Sequence, residues 1–150
     1  MTSEPRHQWL ERLVGDWTFE APSAQYRGTE QVRSLGGVWV VCESRGEMPG
    51  AGEQTTLTTL GYDADKGRFV GTVVGSMMSY IWSYEGDLEP DGNTLRLETD
   101  GPSYEDEGVM TSYVDVIELI GDNERELRST YLGSDGEWHE VMTMRYRRQG

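Results

Sequence analysis

The sequence predicts an all-β protein, an antiparallel up-and-down barrel of about ten strands with a short N-terminal helix closing one end. Segments of alternating apolar and polar residues recur along the chain, and short turns rich in glycine, asparagine and aspartate separate them. Ahead of these segments, Trp9, Leu10, Leu13 and Val14 fall on one stripe of a helix. Because closure removes the exposed edges of a sheet, so many sequential hairpin strands favour a closed barrel.

The N-terminal helix is expected to end at Gly15, which suits a helix C-terminus. A helix of this length is unstable alone, so its apolar stripe must pack against another element, such as the open end of the barrel. From Asp16 the period changes to two, which places Trp17 and Phe19 on one face of the first strand.

The remaining strands follow from the same alternation and from the turns that bound it. Glycine-containing sequences at 36–37, 63–67, 89–93 and 133–136 mark hairpin turns. An acidic loop over 100–108 interrupts the series. The predicted strands cover residues 16–20, 26–35, 38–45, 54–62, 68–74, 78–88, 94–99, 109–120, 125–132 and 138–147.

Length and composition bound the class of protein. The 150 residues predict one domain, 1–150, and the net charge of −14 argues against nucleic acid and anionic membranes as partners. The single cysteine, Cys42, rules out an intramolecular disulfide and a cysteine-based metal site, and two histidines are too few for a three-histidine site. With no apolar run of membrane-spanning length and no signal-peptide core, we expect a cytoplasmic protein without a cofactor.

The G-x-W sequence at 15–17, directly after a short helix, resembles the start of lipocalin-like (calycin) barrels. In those barrels the tryptophan plugs the floor, and an arginine from the last strand packs across it. The resemblance implies that Trp17 closes the floor here together with Arg147, with Arg145 and Arg148 as alternatives. It also implies that the predicted barrel is lipocalin-like.

Several ordered segments extend the resemblance over nearly the whole chain. They are HQWL at 7–10, LVGDW at 13–17, LGGVWV at 35–40, LGYD at 60–63, RFVGTV at 68–73 and YRR at 146–148. Together they resemble the uncharacterised bacterial family DUF1579, which implies a lipocalin-like barrel and no established activity. One departure is Gly75, where family members tend to carry an aspartate, so any role of that aspartate is absent here.

A barrel of more than eight strands has an interior roomier than side chains alone fill, and seven methionines suit an adaptable apolar pocket. Alternation places Trp138, Met142 and Met144 on one face of the last strand. A shift of one residue would invert every face, so alternation alone leaves the inward direction open. The alternative is that these side chains simply fill the barrel. The candidate ligand-binding residues are Trp39, Met77, Tyr80, Trp82, Tyr84, Met110, Tyr113, Met142 and Met144.

The leading hypothesis for function is binding of a small, mainly apolar molecule in the barrel interior. The alternative is an enzyme of isomerase or cyclase type, in which the cavity positions the substrate and one acid or phenol assists. Tyr80, Tyr113 and Glu43 are the candidate catalytic groups. Glu43 and Arg45 lie two apart on one face of a strand, where they form either an internal ion pair or, as we favour, a surface pair.

A third hypothesis is haem binding. The nitrobindins, which are related ten-stranded barrels, bind haem through a histidine, and this resemblance implies His139 as the ligand. The alternative, which we favour, is a histidine on the polar face between Trp138 and Glu140. An apolar barrel edge or mouth would equally serve as a homodimer contact. The sequence alone identifies neither the ligand nor a reaction.

Overall fold

The structure is a computed structural model that describes residues 5–149, and it has the all-β architecture predicted from the sequence. One helix, α1 (Pro5–Glu11), precedes ten strands, and a short 3-10 turn (Pro22–Ala24) follows the first of them. The strands are β1 (Gly15–Ala21), β2 (Tyr26–Leu35), β3 (Trp39–Met48), β4 (Gly52–Asp63), β5 (Arg68–Gly75), β6 (Met78–Leu88), β7 (Thr94–Pro102), β8 (Met110–Leu119), β9 (Glu124–Leu132) and β10 (Trp138–Arg148).

The ten strands close into one antiparallel barrel. Each strand pairs with its neighbours in sequence, and β1 also pairs with β10 to complete the circle. Trp17 is paired with Glu30 on one side and with Arg148 on the other. The prediction of a ten-stranded up-and-down barrel with a short N-terminal helix is therefore confirmed.

Across residues 5–149, no helix is both long enough and apolar enough to cross a membrane.

The helix closes one end of the barrel, which we call the lower end. Its contacts are with β3 and β4, and Trp9 and Leu10 are buried there. Leu13, in the turn after α1, is also buried, and its carbonyl accepts a hydrogen bond of 2.9 Å from Nε1 of Trp17. Trp17 itself is only 1% exposed and lies at this lower end, which we call the floor of the barrel.

The arginine that packs on this tryptophan is Arg148, not Arg147 as predicted. Arg148 lies opposite Trp17 in the β1–β10 ladder, and its guanidinium carbon is 4.3 Å from the centroid of the indole ring. Its nitrogens donate to the backbone carbonyls of Val14 at 2.5 Å and Arg12 at 2.7 Å. Arg147 is one residue away and faces outward, so it is exposed.

A buried ion pair lies above the floor. Arg125 of β9 donates to the carboxylate of Glu30 of β2, and the two side chains are 5% and 7% exposed. The guanidinium carbon of Arg125 is 3.8 Å from the ring centroid of Tyr146 and 4.7 Å from that of Trp17. Ser44 donates to the other oxygen of Glu30 at 2.5 Å. The lower half of the barrel is thus filled by side chains, and the two opposite charges of Arg125 and Glu30 neutralise each other there.

Candidate functional site

The upper end, away from α1, contains a cavity of about 230 Å³ that we call the open-end cavity. It lies below the β5–β6 turn and the loop over 103–109, which join strands at that end. Small residues on the inward face, such as Thr56 and Gly75, leave this space free. The barrel is therefore filled at its floor and hollow near its mouth.

Most of the wall of this cavity is apolar. Trp82 and Tyr84 of β6 point inward, because they pair with Val73 and Gly71 on the inward face of β5. Tyr113 of β8, two strands further along, also faces inward and lines the cavity. The apolar and aromatic lining consists of Val73, Met77, Met78, Trp82, Tyr104 and Tyr113. Four of the predicted ligand-binding residues thus meet here, namely Met77, Trp82, Tyr84 and Tyr113.

The absence of a side chain at Gly101 gives the ring of Trp82 its place against β7. A Cβ atom on Gly101 of β7 would lie 1.8 Å from the indole ring, so only glycine lets the ring lie against this strand. The ring packs edge-on against Tyr113, with centroids 5.1 Å apart, and against Tyr80 at 5.0 Å. The hydroxyl of Tyr80 donates to the carbonyl of Asp100 at 2.8 Å. Tyr80 therefore supports Trp82 without itself lining the cavity.

One carboxylate, that of Asp115, belongs to the cavity wall. It accepts hydrogen bonds from the hydroxyl of Tyr84 and, at 2.5 Å, from that of Ser129. Burial raises the pKa of Asp115, and these two hydrogen bonds partly offset the rise. The titratable groups around it are the phenols of Tyr84, Tyr104 and Tyr113. Within residues 5–149, no arginine, lysine or histidine lines the cavity.

A second polar group in the wall has no partner. Thr99 of β7 is 8% exposed and faces inward opposite Tyr113, and its hydroxyl oxygen makes no hydrogen bond to any described residue. Buried hydroxyls normally have partners, so this one is an exception in the cavity wall. Neither Thr99 nor Ser129 was singled out from the sequence. The sequence contains one signal for Asp115, which is its place in the apolar run 113–117.

The predicted catalytic phenols are already engaged in hydrogen bonds. Tyr80 donates to Asp100, and Tyr113 donates to the carbonyl of Pro102. Burial raises the pKa of Tyr113 to about 12. Each phenol thus acts as a hydrogen-bond donor that shapes the wall, and neither is poised to accept a proton.

Glu43, the third catalytic candidate, is wrongly placed for that role. It lies on the outer face of β3, because the inward positions of this strand are Val40, Cys42 and Ser44. Its carboxylate pairs with Arg45 at 2.7 Å, and this is a surface pair.

Two predicted ligand-binding residues also face outward. Trp39 alternates with the inward Val40, and its ring covers Gly61 of β4, where a Cβ atom would lie 2.3 Å from it. Met110, at the start of β8, is 53% exposed and alternates with inward-facing Thr111. Met142 and Met144 do face inward, yet they pack against the core rather than lining the cavity.

A β-bulge in β10 breaks the alternation that the sequence suggested. The register shifts between Glu140 and Met142, so Val141 is an extra residue in the strand. Met142 faces inward as a result, whereas Trp138 faces outward and is 49% exposed. The prediction that Trp138 shares a face with the two methionines is therefore wrong.

His139 lies at the rim of the barrel, outside the open-end cavity. Its Nε2 is 2.9 Å from Oδ2 of Asp135, and its ring packs against Tyr131 with centroids 5.5 Å apart. A cavity of about 230 Å³ is too small for a porphyrin. The geometry gives the haem hypothesis no support.

The hydrogen-bonded ladder between β6 and β7 is short beside this cavity. The ladder that joins these strands runs from Leu88 and Leu95 to Glu85 and Glu98, short of the upper end. A depression of about 590 Å³ on the outer wall reaches this gap, and Tyr84, Thr99 and Tyr113 line both spaces. The side chain of Trp82 lies against Gly101 in this stretch, so its ring covers the gap in the ladder.

A further depression of about 800 Å³ crosses the outer face of β1, β9 and β10. Its lining includes Arg145 and Arg147, which are exposed on the surface. It lacks the apolar enclosure that a small-molecule site requires. The open-end cavity is the better candidate site.

Comparisons with known proteins give a family and no activity. A family model described as "Protein of unknown function (DUF1579)" matches residues 2–148. The search of curated proteins finds no match. The match extends over nearly the whole chain, in agreement with the segments from 7–10 to 146–148 that carry the resemblance. The chain belongs to the DUF1579 family.

Proposed function

We propose that this protein binds a small, mainly apolar molecule in the open-end cavity. The observation that carries the proposal is a space of about 230 Å³ near the barrel mouth with a wall of aromatic and methionine side chains. Apolar cavities of about 150 Å³ hold benzene in other proteins, so this one suits a single ring with a short side chain. Methionines such as Met77 and Met78 adapt their shape to a ligand at little cost.

Native mass spectrometry of the purified protein, compared with the same sample after denaturation, tests for a resident ligand. In the native spectrum we expect the protein to carry the additional mass of a bound molecule smaller than a typical drug, and we expect this mass to be lost on denaturation. The extra mass identifies the chemical class of the ligand without any prior guess.

A pair of adjacent substitutions tests where an added ligand binds. Val73 faces inward and lines the cavity, whereas Val74 faces outward and is 41% exposed. Val73→Trp should fill the cavity and abolish binding of 2-phenylethanol, a neutral probe of suitable size. Val74→Trp adds the same side chain to the outer face and should leave binding unchanged. Equal binding by the two variants would contradict the proposal.

A specific observation favours a second candidate, an enzyme of isomerase type. Asp115 lies in the cavity wall with a raised pKa, as a general acid or base requires. The test uses the compound recovered from the protein. Incubation with fresh protein should convert it to a new product, and Asp115→Asn should abolish the conversion. Recovery of the compound unchanged would leave binding as the function.

A further inference from the structure

Among residues 5–149, one carboxyl group lines the open-end cavity, and it belongs to Asp115. Asp115 accepts two hydrogen bonds from hydroxyl groups and has no cationic partner among residues 5–149. The inward carboxylate of Glu30, in contrast, is neutralised by the buried guanidinium of Arg125. Leaving a carboxylate in an apolar wall without a cation is unfavourable and is typical of functional sites.

The rest of the wall suits a cation. The ring faces of Trp82, Tyr113 and Tyr104 carry partial negative charge, and a desolvated ammonium group is attracted to such faces. Trp82 and Tyr113 are locked edge to face, as are Tyr113 and Tyr104. The cavity therefore combines an apolar enclosure with a negative potential.

Thr99 supplies an acceptor beside the carboxylate. In the β7–β8 ladder Thr99 is opposite Tyr113, and Asp115 lies two residues further along the same inward face. Diagonal neighbours of this kind are about 7 Å apart, so one group can lie between them. A primary ammonium group has three N–H donors, which can reach Asp115 and the unpartnered hydroxyl of Thr99 together.

The mouth of the barrel has the same sign of charge. The loop over 103–109 carries Glu105, Asp106 and Glu107, and the net charge of the chain is −14. Such a field attracts cations toward the cavity and repels carboxylates. Fatty acids and other organic anions are thus unsuited to this site.

We propose that the natural ligand is a lipophilic ammonium ion, a single apolar ring or short chain with one protonated amine. The amine is held by Asp115 and Thr99, and the apolar part lies against Trp82, Tyr113 and the methionines. This inference rests on the proposed function, and it adds the charge and the polar group of the ligand.

The test compares three probes that share a ring and chain length and differ in charge. They are 2-phenylethylammonium, 2-phenylethanol and phenylacetate, titrated at neutral pH with tryptophan fluorescence or calorimetry as the readout. We expect the ammonium ion to bind at least about ten-fold more tightly than the alcohol, and phenylacetate to bind most weakly. An alcohol or phenylacetate that binds as tightly as the ammonium ion overturns the inference.

Two variants assign the preference to one carboxylate. Asp115→Asn keeps the shape of the side chain and should bring the ratio of ammonium to alcohol affinity close to one. Asp100→Asn removes the same charge from a position outside the cavity, where the carboxylate accepts from Ser112 at 3.1 Å, and should keep the ratio. A preference that survives Asp115→Asn contradicts the inference.

The outcomes separate this inference from the proposed function. If 2-phenylethanol binds and Val73→Trp blocks it, while the ammonium ion has no advantage, apolar binding stands and ammonium recognition fails. If none of the three probes binds to the folded protein, both proposals fail. If the ammonium ion binds most tightly, benzyltrimethylammonium should bind less tightly than it, because this probe keeps the attraction to the rings and has no N–H donor for Asp115 and Thr99.

Discussion

The buried pair of Glu30 and Arg125 allows a prediction whose size can be worked from the structure. Replacing Arg125 with methionine removes the guanidinium and leaves the Glu30 carboxylate, 7% exposed, with the hydroxyl of Ser44 as its one remaining partner among residues 5–149. Breaking a buried pair on one side costs about 3–5 kcal/mol, because the remaining charge is uncompensated. For a chain of 150 residues this lowers Tm by on the order of 10 °C. The contacts of Arg125 with Trp17 and Tyr146 are lost in the same step.

A double-mutant cycle isolates the pairwise part of this cost. Glu30→Met combined with Arg125→Met removes both charges, so the double variant should be more stable than Arg125→Met alone, with a coupling energy of at least about 2 kcal/mol. Urea denaturation followed by circular dichroism gives each free energy of unfolding.

The matched control is the surface pair of Glu124 and Arg147, which are 52% and 72% exposed and 3.8 Å apart. Its coupling energy should be below about 1 kcal/mol. Additive single effects at Glu30 and Arg125, each no larger than those of the surface pair, would refute the reasoning that burial makes this pair costly to break.

Three further predictions concern the cavity and the floor. Gly101→Ala should displace the ring of Trp82, lower stability by about 1–3 kcal/mol and weaken binding of 2-phenylethanol; an unchanged urea midpoint and affinity would contradict this. Because burial raises the folded-state pKa of Asp115, the protein loses stability as the pH rises through that pKa. Asp115→Asn should therefore match or exceed the wild-type Tm at neutral pH. This advantage should vanish below pH about 3.9, the ordinary pKa of an aspartate carboxyl group. Arg148→Ala should cost about 1.5–3 kcal/mol in urea denaturation through lost hydrogen bonds at the floor, whereas Arg147→Ala should cost under about 0.5; equal costs would reject Arg148 as the floor arginine.

The strands and their order could be predicted because alternation and turn residues are local signals. The direction in which each strand faces is a tertiary property, and it was harder to predict. The run 38–41 is apolar on both faces, so nothing local distinguishes Trp39 outside from Val40 inside. In β10 the extra residue Val141 places Trp138 on the opposite face from Met142, and no residue type in this segment predicts such a bulge.

The polar residues inside the barrel were missed for a different reason. Glu30 and Arg125 are far apart in sequence and meet only when the barrel closes. A polar strand such as Tyr26–Leu35 predicts a solvent-exposed face, and nothing in its sequence indicates that Glu30 points inward. The Asp115 site likewise depends on Tyr84 from another strand, so its geometry is not visible in the sequence.

The most direct test of a ligand site in the open-end cavity is two-dimensional ¹H–¹⁵N NMR of the five tryptophan indole N–H groups during a titration with 2-phenylethylammonium. The five report on different places: Trp9 and Trp17 at the floor, Trp39 and Trp138 on the outer face, and Trp82 in the cavity wall. Binding in the cavity predicts that the Trp82 signal moves in proportion to occupancy while the other four stay in place. Movement of Trp39 or Trp138 with Trp82 unchanged would contradict it.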